Sequence, residues 1–151
     1  MEPTSSQSTP EIVELERVFK ARPERVFDAF ASVDAMSQWF GPGHCQVVRG
    51  EMDFRIGGTY CLRVDTGSDG EVEVTGEYQA IEPPDFLSFS WRWQGNPEFN
   101  PADSVVEIRF EAHADGTLLK LRQIGIENDE SRANHGHGWS GAFDKLDKIF
   151  T

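Results

Sequence analysis

A regular alternation of apolar and charged residues between residues 58 and 126 constrains the fold of this chain more than any other feature. It recurs in five segments, whose sequences are YCLRVD, EVEVTGEY, LSFSWRW, VEIRF and LKLRQ. Because successive side chains of a strand point to opposite faces of a sheet, each segment predicts a strand with one apolar and one charged face. Together they predict an antiparallel sheet whose apolar, aromatic face must be covered by another layer.

Turn-forming residues stand between the predicted strands. Asp69-Gly70 and Asp115-Gly116 are dipeptides that two-residue hairpin turns prefer, and Gly57-Gly58 makes another turn. Pro83-Pro84 separates a further pair of strands, because proline cannot donate a hydrogen bond to a ladder. One more strand, HCQVVRGEMDF, precedes the first of these turns, so the meander has six strands.

Two short helices are predicted before the meander. The chain first forms a strand, IVELERVFKA, and the period then changes in RPERVFDAFASVDAMSQWF. Pro23 suits the first turn of one helix, and Asp34 is expected to cap the second. The second helix is expected to carry Met36, Trp39 and Phe40.

A longer helix is predicted from Glu130 to Phe150, where large apolar residues are spaced by four, three and four. These residues are Trp139, Phe143, Leu146 and Phe150. The predicted fold class is therefore α+β, with a curved antiparallel sheet wrapped around a long C-terminal α-helix in the order β-αα-β6-α. Residues 1–10 lack an apolar pattern and are predicted to be a disordered tail, and residues 11–151 to form a single domain.

The net charge of the chain limits the classes of molecule that we expect it to bind. Its 26 acidic and 14 basic residues give a formal net charge of −12. Such a surface repels nucleic-acid phosphates and anionic lipid headgroups, so we expect neither nucleic-acid binding nor membrane insertion. No apolar run approaches the ~20 residues of a spanning helix, and the first residues lack the pattern of a signal peptide. With only Cys45 and Cys61, we expect two reduced thiols and a cytoplasmic protein.

Several local motifs accompany this order of elements between about residues 12 and 150. They are RVFKARPERVFDAF, WFGP, DFRIGGTY, GEYQAIEPPDFLSFSW, GTLLKLRQIG and HGHGW. With them the chain resembles the START-like superfamily, also called SRPBCC or birch-pollen-allergen-like. Within it, the chain is most similar to homologues of the C-terminal domain of the chaperone-ATPase activator. The resemblance implies a helix-grip fold, in which a sheet grips the last helix and often leaves a cavity between them.

The resemblance implies three classes of function, since superfamily members carry hydrophobic ligands, cyclise polyketides or act as co-chaperones. Our leading hypothesis is binding of a small hydrophobic or aromatic molecule, lipids included. The second is a cyclase- or isomerase-type enzyme that uses the same cavity, with Tyr60, Tyr78 or His135 polarising a carbonyl. The third is a stress-related interaction with a chaperone ATPase, which a single-domain chain disfavours. Catalytic residues stay unknown, because no motif such as G-x-S-x-G occurs.

One strand position departs from the pattern of the family. Many relatives have a histidine where this chain has Gln123, which shares the inward parity of Leu119 and Leu121. An amide donates and accepts hydrogen bonds but does not act as a base. The substitution therefore disfavours a general base on this strand.

The two histidines of HGHGW do not have the spacing of a metal site. His135 and His137 are two residues apart, about 200° around a helix, whereas helical zinc sites use spacings of three or four. Neither CxxC nor HExxH occurs, so we expect no metal and no cofactor. The adjacent glycines favour a loosened helix entry that packs on the sheet, and a place for His135 at the rim of a pocket is the alternative.

A cavity is predicted between the last helix and the sheet, opening near Trp39, Phe40 and His44. Gly76 and Gly125 have inward parity without a side chain, and inward polar groups there could orient one end of an apolar ligand. The predicted ligand-binding residues are Trp39, Phe40, His44, Tyr60, Tyr78, Phe89, Trp91, Phe110, Gln123, His135, Trp139 and Phe143. The expected partner is a small hydrophobic molecule; a homodimer is left open, and contact with a chaperone is not expected.

Overall fold

The chain follows the predicted order β-αα-β6-α in a computed structural model that describes residues 12–41, 43–67, 70–94, 104–126 and 129–150. The elements are β1 (Ile12–Phe19), α1 (Pro23–Asp28), α2 (Val33–Met36), β2 (Gln46–Met52), β3 (Thr59–Asp65), β4 (Glu71–Glu82), β5 (Phe86–Gln94), β6 (Ser104–His113), β7 (Gly116–Ile124) and α3 (Asp129–Ile149). The predicted tail over residues 1–10 lies outside the described residues. None of the helices in the described part is long and apolar enough to cross a membrane.

Seven strands form one antiparallel sheet in the order β1-β7-β6-β5-β4-β3-β2. The two strands that lie farthest apart in this order, β1 and β2, are joined in sequence by α1 and α2. The two short helices therefore bridge the edges of the curved sheet, and this connection places them over one part of its apolar face.

The predicted alternation along the strands is confirmed by burial. On β3, Tyr60, Leu62 and Val64 are buried, whereas Arg63 between them is half-exposed and pairs with Glu73 at 2.7 Å. The same parity holds on the neighbouring strands, whose buried residues include Val72, Val74, Leu87, Phe89, Val106, Ile108, Leu119 and Leu121. Period-two burial therefore identifies one face of the sheet as the wall of the core.

The long helix α3 covers this face as predicted. Its buried residues are Trp139, Ala142, Phe143 and Leu146. The ring of Phe143 meets the ring of Phe19 of β1 edge to face, with 5.7 Å between centroids. The ring of Trp139 lies 5.1 Å from that of Trp91 on β5. The helix thus packs on strands from both halves of the sheet.

The second short helix begins and ends earlier than the sequence predicts. Ser32, not Asp34, is the N-cap, because its backbone is extended and its Oγ accepts a hydrogen bond from the Ala35 amide at 3.1 Å. The helix ends at Met36; Trp39 lies in the turn that follows, and Phe40 comes directly after that turn.

The turn before β7 is displaced by one residue from its predicted position. The register pairs His113 with Gly116, so the turn before β7 has Ala114 and Asp115 at its centre rather than Asp115-Gly116. Gly116 is required for a different reason: its φ is +141°, and a Cβ there would lie 2.1 Å from the carbonyl oxygen of Phe19. Pro83-Pro84 separates β4 from β5 as predicted, and Asp69 lies outside the described residues.

Candidate ligand-binding site

A small cavity lies between strands β2 to β5 and the segment from Phe30 to Phe40, which includes α2. Its volume is about 20 Å³, which is room for roughly one water molecule. The lining side chains are apolar or aromatic, and none of them is charged. They are Phe30, Met36, Phe40, Met52, Tyr60, Leu62, Tyr78, Leu87, Phe89 and Trp91.

The structure brings five of the predicted ligand-binding residues together around this cavity. These are Phe40, Tyr60, Tyr78, Phe89 and Trp91. The other predicted residues do not line it: Trp39, His44, Phe110, Gln123, His135, Trp139 and Phe143. Of these, His44 is exposed and the rest contribute to packing elsewhere. Five further residues line the cavity and are not among the predicted ligand-binding residues: Phe30, Met36, Met52, Leu62 and Leu87.

This cavity does not adjoin α3, so it is a different space from the one that the sequence predicts between β5 and the long helix. No residue of α3 lines it, and aromatic rings meet in the contact between α3 and the sheet. The ring of Trp139 lies 5.1 Å from that of Trp91 and 5.8 Å from that of Phe143. The space is instead on the side of α1 and α2, where shorter elements cover the sheet.

Gly76, one of the two glycines that are predicted to leave a void, does not do so. A Cβ on Gly76 would lie 2.0 Å from the carbonyl oxygen of Ser90 and 2.6 Å from Cε2 of Tyr60. Tyr60 pairs with Gly76 across the strands, and its hydroxyl donates to the Ser90 carbonyl at 2.7 Å. The tyrosine therefore fills the place of the missing side chain, and Gly76→Leu would disrupt the sheet rather than fill the cavity. Gly125 has a φ of +108°, so its backbone conformation accounts for the glycine.

Gln123 is bonded within the protein rather than facing the cavity. Its Oε1 accepts a hydrogen bond from Trp139 Nε1 at 2.8 Å, and its Nε2 donates to Ser104 Oγ at 2.9 Å. Ser104 in turn lies 3.5 Å from the carbonyl oxygen of Trp91. These buried contacts join α3, β7, β6 and β5, and they assign Gln123 a structural role.

Both ring nitrogens of His135 form hydrogen bonds within the protein. Its Nε2 accepts a hydrogen bond from Trp93 Nε1 at 2.8 Å. Its Nδ1 lies 2.8 Å from the carbonyl oxygen of Ser131 and must carry the proton, because a carbonyl can only accept. Burial lowers the pKa of His135, and the bond to Ser131 opposes that shift in part. His135 is therefore a neutral link between α3 and β5.

His137 is exposed on the same helix and does not join His135 in a site. Among the described residues, no group of three His, Cys, Asp or Glu side chains is arranged to hold a metal ion.

The polar groups of the cavity wall are uncharged. Burial raises the pKa of Tyr60, and it raises the pKa of Tyr78 as well, so both phenols stay protonated at neutral pH. The hydroxyl of Tyr60 donates to the Ser90 carbonyl. Trp91 Nε1 is buried and has no hydrogen-bond partner among the described residues. Such a wall can hold an uncharged apolar molecule, but it offers no ionised acid or base.

The family and the fold are shown by comparison with known proteins. The family model described as "Activator of Hsp90 ATPase homolog 1-like protein" matches residues 20–151. A solved structure from Chromobacterium violaceum is similar with a TM-score of 0.81 and 24% identity, covering 93% of this chain and 98% of that one. The AHSA1 protein from Silicibacter pomeroyi is similar with a TM-score of 0.79 and 26% identity, covering 91% and 96%.

A third similar structure, CalU16 from Micromonospora echinospora, has a TM-score of 0.66 and 27% identity, and the match covers 93% of this chain and 74% of that one. A search of curated proteins finds no match to this chain. The neighbours share the curved antiparallel sheet and the long C-terminal helix, and the family model covers most of the sequence. The chain therefore belongs to the family of Activator of Hsp90 ATPase homolog 1-like proteins, with the helix-grip fold of the START-like superfamily.

Proposed function

We propose that this protein binds a small, uncharged hydrophobic molecule in the cavity between strands β2 to β5 and the segment from Phe30 to Phe40. The observation that carries the proposal is a cavity with an entirely apolar or aromatic lining inside the hydrophobic core. An apolar void destabilises a protein by roughly 24 cal/mol per Å³, so a molecule that fills it stabilises the fold. Hydrophobic ligands are common in this fold family, which supports the same interpretation.

A ligand must enlarge the cavity in order to bind. The volume is about 20 Å³, whereas small-molecule sites usually measure some hundreds of Å³. The covering layer is suited to such a change, because α2 has only four residues. This helix rests on β2, where Val33 lies against Gly50. A Cβ added to Gly50 would lie 3.1 Å from Val33 Cγ1. Met36 and Met52 line the cavity at this point, and unbranched methionines adapt readily to a new shape.

The proposal is tested by thermal unfolding in the presence of small apolar probes such as ethylbenzene, indole and naphthalene. We expect at least one probe to raise the melting temperature in a concentration-dependent manner, because it binds only the folded state. Leu87→Phe places a larger side chain in the cavity and should abolish most of that increase.

Trp139→Phe is the matched control, because Trp139 packs between α3 and the sheet and does not line the cavity. This variant should keep the increase even though its own melting temperature falls. If no probe stabilises the protein, or if Leu87→Phe responds as the wild type does, ligand binding in this cavity is excluded.

A further inference from the structure

The four tryptophan indoles differ in one respect that bears on the ligand. Three of them donate to protein acceptors: Trp39 to the carbonyl of Ala29 at 3.0 Å, Trp93 to His135 and Trp139 to Gln123, both at 2.8 Å. Trp91 is 5% exposed, and its Nε1–H has no acceptor in the described part of the protein. Buried donors are nearly always paired, so an unpaired one requires an explanation.

Trp91 is also the tryptophan that lines the cavity. Its ring is held by neighbours on several sides, with centroids 5.8 Å from Phe40, 5.4 Å from Trp93 and 5.1 Å from Trp139. These contacts restrict the rotation of the indole, and a phenylalanine would preserve the apolar packing without an unpaired N–H. The indole therefore offers a fixed hydrogen-bond donor that none of the described residues accepts from.

The surroundings of this donor exclude a charged partner. None of the ten lining side chains is cationic, and the chain carries a formal net charge of −12. A carboxylate would lose its hydration in such a site without gaining an opposite charge. The hydroxyl of Tyr78, on the same wall, can add a second hydrogen bond to a neutral oxygen.

We infer that the ligand is a neutral apolar molecule with a carbonyl oxygen, such as an aromatic ketone, ester or lactone, and that the oxygen accepts a hydrogen bond from Trp91 Nε1. This inference rests on the proposed function, since it names the class of molecule that the same cavity binds. It excludes fatty acids and other carboxylates as the preferred class. The directional bond to Trp91 would orient the ligand, while the aromatic and methionine side chains would enclose its apolar part.

The test compares three probes of similar size: acetophenone, ethylbenzene and benzoate. Ethylbenzene has the shape of acetophenone without the oxygen, and benzoate has the oxygens with a charge. Acetophenone should bind about fivefold more tightly than ethylbenzene, the value of one neutral hydrogen bond, and benzoate more weakly than either. In ¹H–¹⁵N spectra of the full chain, the indole N–H of Trp91 should shift downfield with acetophenone and not with ethylbenzene.

Trp91→Phe should reduce the affinity for acetophenone to that for ethylbenzene. Trp93→Phe is the matched control, because its indole N–H is bonded to His135, it does not line the cavity, and phenylalanine keeps an aromatic ring against Trp91. It should leave the preference unchanged. If Trp91→Phe does not fold, the preference for acetophenone and the shift of the Trp91 indole signal in the wild type decide the matter, with Trp93→Phe and Trp139→Phe assigning the signals.

Equal binding of acetophenone and ethylbenzene would overturn the inference but leave the proposed function intact. Tighter binding of benzoate would also overturn it. An indole shift of Trp91 that is the same with both neutral probes would show that Trp91 responds only to packing or to a resident water molecule, and this too would overturn the inference. Failure of all probes to bind would exclude the proposed function itself.

Discussion

His135 illustrates how tertiary contacts set the role of a single residue. In the sequence it is one of two histidines separated by a glycine. Such a residue could act as a metal ligand, as a catalytic base or as part of the rim of a pocket. In the fold its two ring nitrogens are bonded to Trp93 and Ser131, and its neighbour His137 is exposed. The neutral ring satisfies both contacts, whereas a protonated ring would place an N–H against the indole N–H of Trp93.

This arrangement predicts a pH dependence of stability. Burial lowers the folded-state pKa of His135 below the unfolded value of about 6.5. The unfolded state therefore binds more protons between these two pKa values, and stability falls as pH decreases below about 6.5. Urea unfolding at pH 7.5 and pH 5.5 should show this loss in the wild type and a smaller loss in His135→Gln, in which the amide oxygen can still accept from Trp93.

The exposed His137 on the same helix provides the control for this measurement. His137→Gln should retain the pH dependence of the wild type. An unchanged dependence in His135→Gln would contradict the role assigned to the buried ring.

The short helix α2 shows how local signals act at the scale of an element. Two polar residues two positions apart, Ser32 and Asp34, both match the preference for an N-cap. The extended backbone at Ser32 and the bond from the Ala35 amide decide between them, and the buried Met36 at the end of the helix then reaches the cavity. The cap thus helps to position one wall of the candidate site.

Removing this cap should destabilise the protein measurably. Ser32→Ala should lower the free energy of unfolding by about 1 kcal/mol, because the Ala35 amide loses its acceptor. Asp34→Ala is the comparison: it removes only a favourable charge in the first turn, which is worth about 0.5 kcal/mol or less at an exposed site. Denaturant titrations of both variants measure the difference, and an equal or larger effect of Asp34→Ala would reverse the assignment of the cap.

A buried series of hydrogen bonds connects α3 with strands β7, β6 and β5. Trp139 of α3 donates to Gln123 of β7, which donates to Ser104 of β6, and Ser104 lies beside the backbone of β5 at Trp91. All three side chains are buried. These hydrogen bonds run from the long helix through three adjacent strands. They therefore fix the position of α3 along the sheet in a way that apolar packing alone would not.

Removing the central residue of this series should destabilise the protein, and the loss should be coupled to a change at Trp139. Gln123→Met should lower the free energy of unfolding by roughly 2 kcal/mol, because the buried Trp139 N–H and Ser104 hydroxyl lose their partner. Adding Trp139→Phe removes one of the unpaired groups, so the double variant should lose less than the sum of the single losses.

Gln94 supplies the control for that double-mutant cycle. Its amide donates to Thr75 at 3.2 Å on the exposed side of the sheet, so Gln94→Met should change stability by no more than about 0.5 kcal/mol. Strict additivity between the changes at Gln123 and Trp139 would show that the two side chains are not energetically coupled.

The sequence by itself determined the strands, their inward faces and the covering helix. Alternation along β3 gave the burial of Leu62, and the spacing of Trp139, Phe143 and Leu146 gave the apolar stripe of α3. These features could be predicted because a strand repeats every two residues and a helix every 3.6, so each pattern identifies its own element without knowledge of the others.

Only the tertiary structure decided where the core is incompletely filled and which polar groups are paired. Parity placed Phe89, Trp91 and Gln123 on the same face, but it could not show that the rings of Trp91 and Trp139 would meet beneath α3. Nor could it show that Tyr60 would occupy the space above Gly76. These outcomes depend on the volumes and directions of side chains from distant parts of the chain, which meet only when the sheet curves around the helix.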